Sequence, residues 1–229
     1  MRTVILCMIW LAAAMLHCNA QQTKPKFSLN LTAGPSFPIG DFGNKTFSFY
    51  PDSSGLAKTG PLLSLKFAYR AKSKIGLAFV ASGATYLQDK KSYEIYPNSV
   101  VEVHKWEVLK FLIGPEYFIP MGKTKDHFIF YFGGYAGLCK ANLPAFRVTE
   151  LSSTGYPFSQ FWRDKMPLKW AFSYQFETGL EYSLSSRWFI GGDLEFFNTQ
   201  NLHSSKYDHY PNVGRITTVS TLLGVGLRL

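Results

Sequence analysis

The residues best suited to chemistry lie between the apolar runs of the chain rather than within them. The stretch NLHSSKYDHYPN holds His203, Asp208 and His209, and another polar stretch runs from Asp89 to His104. A histidine beside a carboxylate can move a proton, and two histidines can bind a metal ion. Their spacing here is diagnostic of neither, so these side chains read as polar loop residues facing water. His127 opens an apolar run, where an interfacial structural role is expected. The glycines of GGYAG, residues 133–137, precede no helix and so do not form a phosphate loop; a closely packed strand or a bend accounts for them. We therefore expect no enzyme: no catalytic residue, no cofactor and no metal. The competing reading is a hydrolase or acyltransferase working at a rim through His203, Asp208 or His209.

Composition narrows what holds these loops. The chain has 229 residues, with 20 Phe and 13 Tyr, and its charged fraction of 17% is below the roughly 25% of ordinary globular proteins. Its first residues, MRTVILCMIWLAAAMLHCNA, place one arginine before a short apolar run and end on small residues. That is the pattern of a cleaved signal peptide, residues 1–20, with the cut after Ala20. Residues 21–229 then form one domain in which Cys139 is the only cysteine, so no intrachain disulfide braces it. No run of 18 apolar residues follows residue 20, which excludes helical membrane spans. The formal charge of +9 is scattered rather than blocked, and nucleic acid is not an expected partner.

Eight segments show strand character, and all but the fifth alternate apolar and polar residues, the period of a strand. They begin with FSLNLTAG at 27–34, LLSLKFAYRAK at 62–72, IGLAFVASGATYLQ at 75–88 and WEVLKFLIGPEYF at 106–118. HFIFYFGGYAGLCK at 127–140, WAFSYQFETGLEYS at 170–183, RWFIGGDLEFFN at 187–198 and RITTVSTLLGVGLRL at 215–229 complete the set. The sixth is the clearest: Trp170, Phe172, Tyr174, Phe176, Leu180 and Tyr182 oppose Ala171, Ser173, Gln175, Glu177, Gly179 and Glu181. The fifth is apolar on both faces in its first half, and its faces stay unassigned. Connections alternate between long ones, near 35–61, 89–99, 141–167 and 199–214, and short ones, near 72–74, 119–126 and 184–187. This predicts an all-β, eight-stranded antiparallel up-and-down barrel with different ends. Ten strands would result if NKTFSFY at 44–50 or FRVTEL at 146–151 joined; otherwise FRVTEL extends the barrel as a hairpin above the membrane.

Alternation alone leaves open which face is inside. Three features favour an apolar outside over a soluble, lipocalin-like cup. The polar faces are rich in small residues such as Gly76, Ala78, Ser82, Gly179, Gly224 and Gly226, which suit a crowded lumen. Their charges come in both signs, with Lys66, Arg70, Lys110, Lys169 and Arg228 against Glu116, Glu177, Glu181, Asp193 and Glu195, as a closed lumen requires. Trp170, Tyr182, Trp188, Tyr69 and Tyr117 fall near strand ends, where membrane barrels carry aromatic girdles. On this assignment Phe176→Arg is costly and Gln175→Ala costs far less. The third long loop sets Phe146, Tyr156, Phe158, Phe161 and Trp162 among Arg147, Arg163 and Lys165, a mixture able to meet a partner or anionic headgroups.

With the signal ending NAQQ, the first strand running into AGPSFPIGDF, the segment SGLAKTGPLLSL at 54–65 and a final strand ending the chain, residues 21–229 resemble the small outer-membrane β-barrels of Gram-negative bacteria, the OmpX/OmpA-like and PorT-like barrel domain. Such barrels usually end on an aromatic, where this chain has Leu229. The resemblance implies a transmembrane barrel with short periplasmic turns and long extracellular loops, monomeric in the membrane. Eight strands close around side chains alone, which implies no open pore. The expected role is structural or interaction-based: loop display, or membership of an envelope or secretion assembly. Outer-membrane lipid, including lipopolysaccharide, and an envelope or secretion protein are the expected partners.

Overall fold

The computed structural model describes residues 27–44, 55–71, 74–93, 99–121, 128–151, 157–202 and 214–229. Among the described residues twelve strands follow in chain order: β1 (Phe27–Pro38), β2 (Gly60–Arg70), β3 (Ile75–Tyr86), β4 (Ser99–Val103), β5 (Trp106–Met121), β6 (Phe128–Leu143), β7 (Phe146–Leu151), β8 (Pro157–Arg163), the short β9 (Met166–Pro167), β10 (Ala171–Ser183), β11 (Trp188–Thr199) and β12 (Thr217–Arg228). All eight expected segments are strands. β1, β2, β3, β5, β6, β10, β11 and β12 pair antiparallel in that order, and the β12–β1 ladder closes the ring.

Closure carries a stagger. Stepping the register from Asn30 through Lys66, Val80, Leu112, Gly137 and Ser173 arrives at Thr199 of β11. Stepping the other way, through Gly226, arrives at Phe189, ten residues along the same strand. A stagger of that size on eight strands tilts them by about 40° and leaves an interior that side chains can fill.

The outside is apolar. On β5 the outward row runs from Leu109 through Phe111, Ile113 and Tyr117 to Ile119. At that tilt it is about 25 Å tall, the height of a hydrocarbon-facing band. Phe172, Phe176 and Leu180 on β10 and Ile190 and Leu194 on β11 continue the band around the ring. Tyr69, Tyr117, Tyr182 and Trp188 sit at the short-turn end and Trp170 at the long-loop end. The unassigned fifth segment is settled as well. Phe128, Phe132 and Leu138 face out, while Ile129, Tyr131, Tyr135 and Cys139 face in.

Beyond the barrel the connection between β3 and β5 and the third long loop together form a separate three-stranded sheet, in which β7, the FRVTEL segment, lies between β4 of the former and β8 of the latter. FRVTEL therefore adds no barrel strand. One face of this sheet packs Phe146, Val148, Val101 and Val103 against Leu56. Leu56 itself takes a left-handed backbone conformation, with φ of 48°, a strained position for a branched side chain. NKTFSFY lies outside the described residues after Asn44, as do the signal segment and the His127, His203, Asp208 and His209 positions.

Candidate functional site: the filled lumen and its outer rim

Each barrel strand delivers every second residue inward, so the polar rows meet inside, where the charges form a connected network. Lys66 Nζ donates to Glu177 Oε1 at 2.6 Å and to the Tyr131 hydroxyl at 2.8 Å, and stands 3.1 Å from Glu116 Oε1. The Tyr131 hydroxyl also contacts Glu177 at 2.8 Å and Asp193. Tyr135 donates to Glu116 at 2.7 Å. Gln175 links two halves: its Nε2 donates to Glu177 at 3.1 Å and its Oε1 accepts from Lys110 at 3.1 Å. Lys110 lies 3.4 Å from Glu195. Nearer the short turns, Arg70 and Arg228 share Glu181 Oε2 at 2.9 and 3.1 Å.

These groups come from β2, β5, β6, β10, β11 and β12, so the network cross-ties strands far apart in sequence. Buried charges need such pairing, because desolvation costs several kcal/mol per ion. Lys169 is not among them. Expected in the lumen, it is exposed just ahead of β10, which leaves Lys66, Arg70, Lys110 and Arg228 facing the five carboxylates.

The small residues expected to ease crowding do so by receiving rings. Gly226 lies against the Phe189 ring, Gly179 against Tyr131 and Gly76 against Phe118. Arg70 stacks on Phe118, 3.9 Å from the ring centroid, and Arg228 on Phe189 at 4.9 Å.

Above the network the lumen turns apolar. A single helical turn, Gly40–Gly43, drops Phe42 between Tyr86 and Trp106, with edge-on ring contacts at 5.1 and 5.3 Å. Trp106 Nε1 donates to the Gly55 carbonyl at 2.8 Å. Gly55 crosses so close to Phe42 that a Cβ there would strike its ring and carbonyl. Leu62, Leu168, Phe197, Leu202 and Ile216 complete this layer. Sequence reading placed the charges in the lumen but did not foresee the apolar mouth, because its parts come from loops as well as strands.

At the rim, Asp89 is almost buried and structural. It pairs with Lys58 at 2.9 Å and accepts the Lys91 N–H at 3.2 Å, while its own N–H donates to the Leu56 carbonyl at 2.8 Å. Exposed His104 follows β4, its N–H bonded to the Ala145 carbonyl at 3.0 Å. Among the described residues, no three of His, Cys, Asp and Glu gather as a metal-binding set.

A closed antiparallel barrel with an apolar outer band, aromatics at its edges and a charged, packed interior is a membrane barrel of the outer-membrane type. No family model and no curated protein matches the chain. Among solved structures, Neisserial surface protein A is similar at 10% identity and TM-score 0.45, over 89% of this chain and 97% of that one. OprG from Pseudomonas aeruginosa is similar at 14% identity and TM-score 0.47, over 91% and 98%. The outer membrane protein W of E. coli is similar at 13% identity and TM-score 0.39, over 91% and 100%.

Proposed function

We propose that residues 21–229, exported by a signal peptide cut after Ala20, form a monomeric outer-membrane barrel without an open pore or catalysis of its own. Its short turns face the periplasm and its long loops face outward. The role is structural or interaction-based, with outer-membrane lipid, including lipopolysaccharide, around the barrel and an envelope or secretion protein as the partner of its loops. The observation that carries this reading is the filling of the lumen. A solute would have to displace Phe42 from between Tyr86 and Trp106 and then part the Lys66–Glu177 and Lys110–Gln175 bonds beneath. The loop sheet offers a surface for contact, with Val100, Glu102 and Arg147 exposed on it.

The test is reconstitution of the full chain into planar bilayers, with carbonate fractionation of cells in parallel. Membrane-pelleted protein without resolved current steps is the expected result. Steady conductance steps would reject the pore-less reading, and recovery in the carbonate-soluble periplasm would reject the membrane reading itself. Alanine at His203, Asp208 and His209 is expected to leave the surface lipid composition unchanged; an altered composition would favour the enzyme.

A further inference from the structure

The outer end of β5, β6 and β10 carries basic side chains at the height where the apolar band stops. Lys140 continues the outward face of β6 one step above Leu138, in register with Leu109 on β5. The pairing of Ala171 with Cys139 brings Trp170 alongside Lys140 on the other flank. The Lys140 ammonium lies 5.7 Å from the centre of the Trp170 ring, and that ring lies 6.1 Å from Phe111 in the band below. Lys169 and Lys105 are both exposed, and with Lys140 they have no carboxylate partner among the described residues.

Nearby acid does not neutralise them. Glu107 is engaged by Lys165 at 2.7 Å and by Asn142 at 2.9 Å, so its carboxylate is already held elsewhere. A lysine stem lying on apolar surface with its ammonium at the band's edge is the snorkelling arrangement. An amphipathic ring beside it marks headgroup level.

We propose that Lys140, Lys169 and Trp170 form a docking site for the phosphorylated headgroup of an outer-leaflet lipid. The lysines meet the phosphate while the band below meets the acyl chains. The inference rests on the membrane reading above and specifies the lipid chemistry and the place where it binds. Two sources could supply phosphate, and the height of the site selects the lipid: a free anion has no use for the apolar wall beneath Trp170.

The test uses the full chain, folded in a zwitterionic detergent, titrated with a phosphorylated, acylated glucosamine disaccharide and with its dephosphorylated form, with bound lipid counted by native mass spectrometry. The wild-type protein should bind the phosphorylated form at least about tenfold more tightly. Lys140→Gln with Lys169→Gln should abolish that preference, Lys140→Arg should retain it, and Lys90→Gln with Lys91→Gln, elsewhere on the rim, should leave it intact. Equal binding of the two lipids, equal loss in the Lys90 and Lys91 variant, or displacement by equimolar inorganic phosphate would overturn the site. Carbonate pelleting and heat-modifiable gel mobility of every variant separate a failed site, in which the barrel still inserts, from a failed membrane reading, in which it does not.

Discussion

At the scale of single residues, position inside the barrel decides what a charge is worth. Lys66 is buried among Glu116, Glu177 and Tyr131. Lys66→Met strands two carboxylates and should cost about 3–5 kcal/mol in reversible urea unfolding from lipid vesicles. Glu107→Gln, whose pair with Lys165 has both side chains 47% exposed, should change stability by less than about 1 kcal/mol. Similar costs for the two would contradict the burial of the network. Gln175 revises an expectation. As a lumen residue its loss was to cost far less than a charge at Phe176, yet it is fully buried and bridges Lys110 to Glu177. Gln175→Ala should therefore cost about 1–3 kcal/mol, overlapping the roughly 2–4 kcal/mol of Phe176→Arg on the lipid face; a cost near zero for Gln175→Ala would sink this revision. Alternation told which way each side chain points. It did not tell which inward atoms touch, because those contacts depend on the ten-residue stagger, which no local pattern encodes.

At the scale of elements, the strands were legible because their solvent is uniform: hydrocarbon outside and a polar, crowded lumen inside impose period two wherever a strand crosses. Legibility failed where an inward residue must be both large and polar-tipped. Tyr131 and Tyr135 made β6 look apolar on both faces, yet their hydroxyls serve Glu177 and Glu116. It also failed at the long-loop end. There the inward positions Tyr86, Trp106 and Phe197 are apolar because they pack under Phe42 and its neighbours rather than against lipid or water. The glycine rows make a sharper test. Gly226 faces in beneath the Phe189 ring, whereas a Cβ at Gly83, which faces out on β3, would meet nothing within 4 Å. Gly226→Val should lower stability by about 1–3 kcal/mol or more through overpacking, and Gly83→Val should be neutral or slightly stabilising. Urea midpoints in the same vesicles compare them, and a harmless Gly226→Val would mean that the ring does not occupy that space.

For the whole molecule, even strand number and antiparallel order put the start of β1 and the end of β12 together beside the short turns. The Leu229 N–H donates to the Phe27 carbonyl at 2.9 Å, and the β10–β11 turn closes through Leu184 and Ser185 on the Trp188 carbonyl at 2.9 and 3.1 Å. The opposite end carries every long connection, the three-stranded sheet and the Lys140–Trp170 patch. This asymmetry was readable from loop lengths alone, whereas the loop sheet was readable only as FRVTEL, since its partners β4 and β8 come from separate stretches of the chain. Tight turns keep to the periplasmic side of barrels of this type, so the orientation can be tested in cells. Asn201, exposed at the long-loop rim, and Ser186, exposed in the β10–β11 turn, sit at opposite ends, and Cys139 is wholly buried. With Asn201→Cys, a membrane-impermeant maleimide should label intact cells. With Ser186→Cys, it should label only after the outer membrane is opened, and the unaltered chain should stay unlabelled throughout. Labelling of the Ser186 variant alone in intact cells would reverse the barrel, moving the Lys140 patch to the inner leaflet and taking the outer-leaflet lipid away from it.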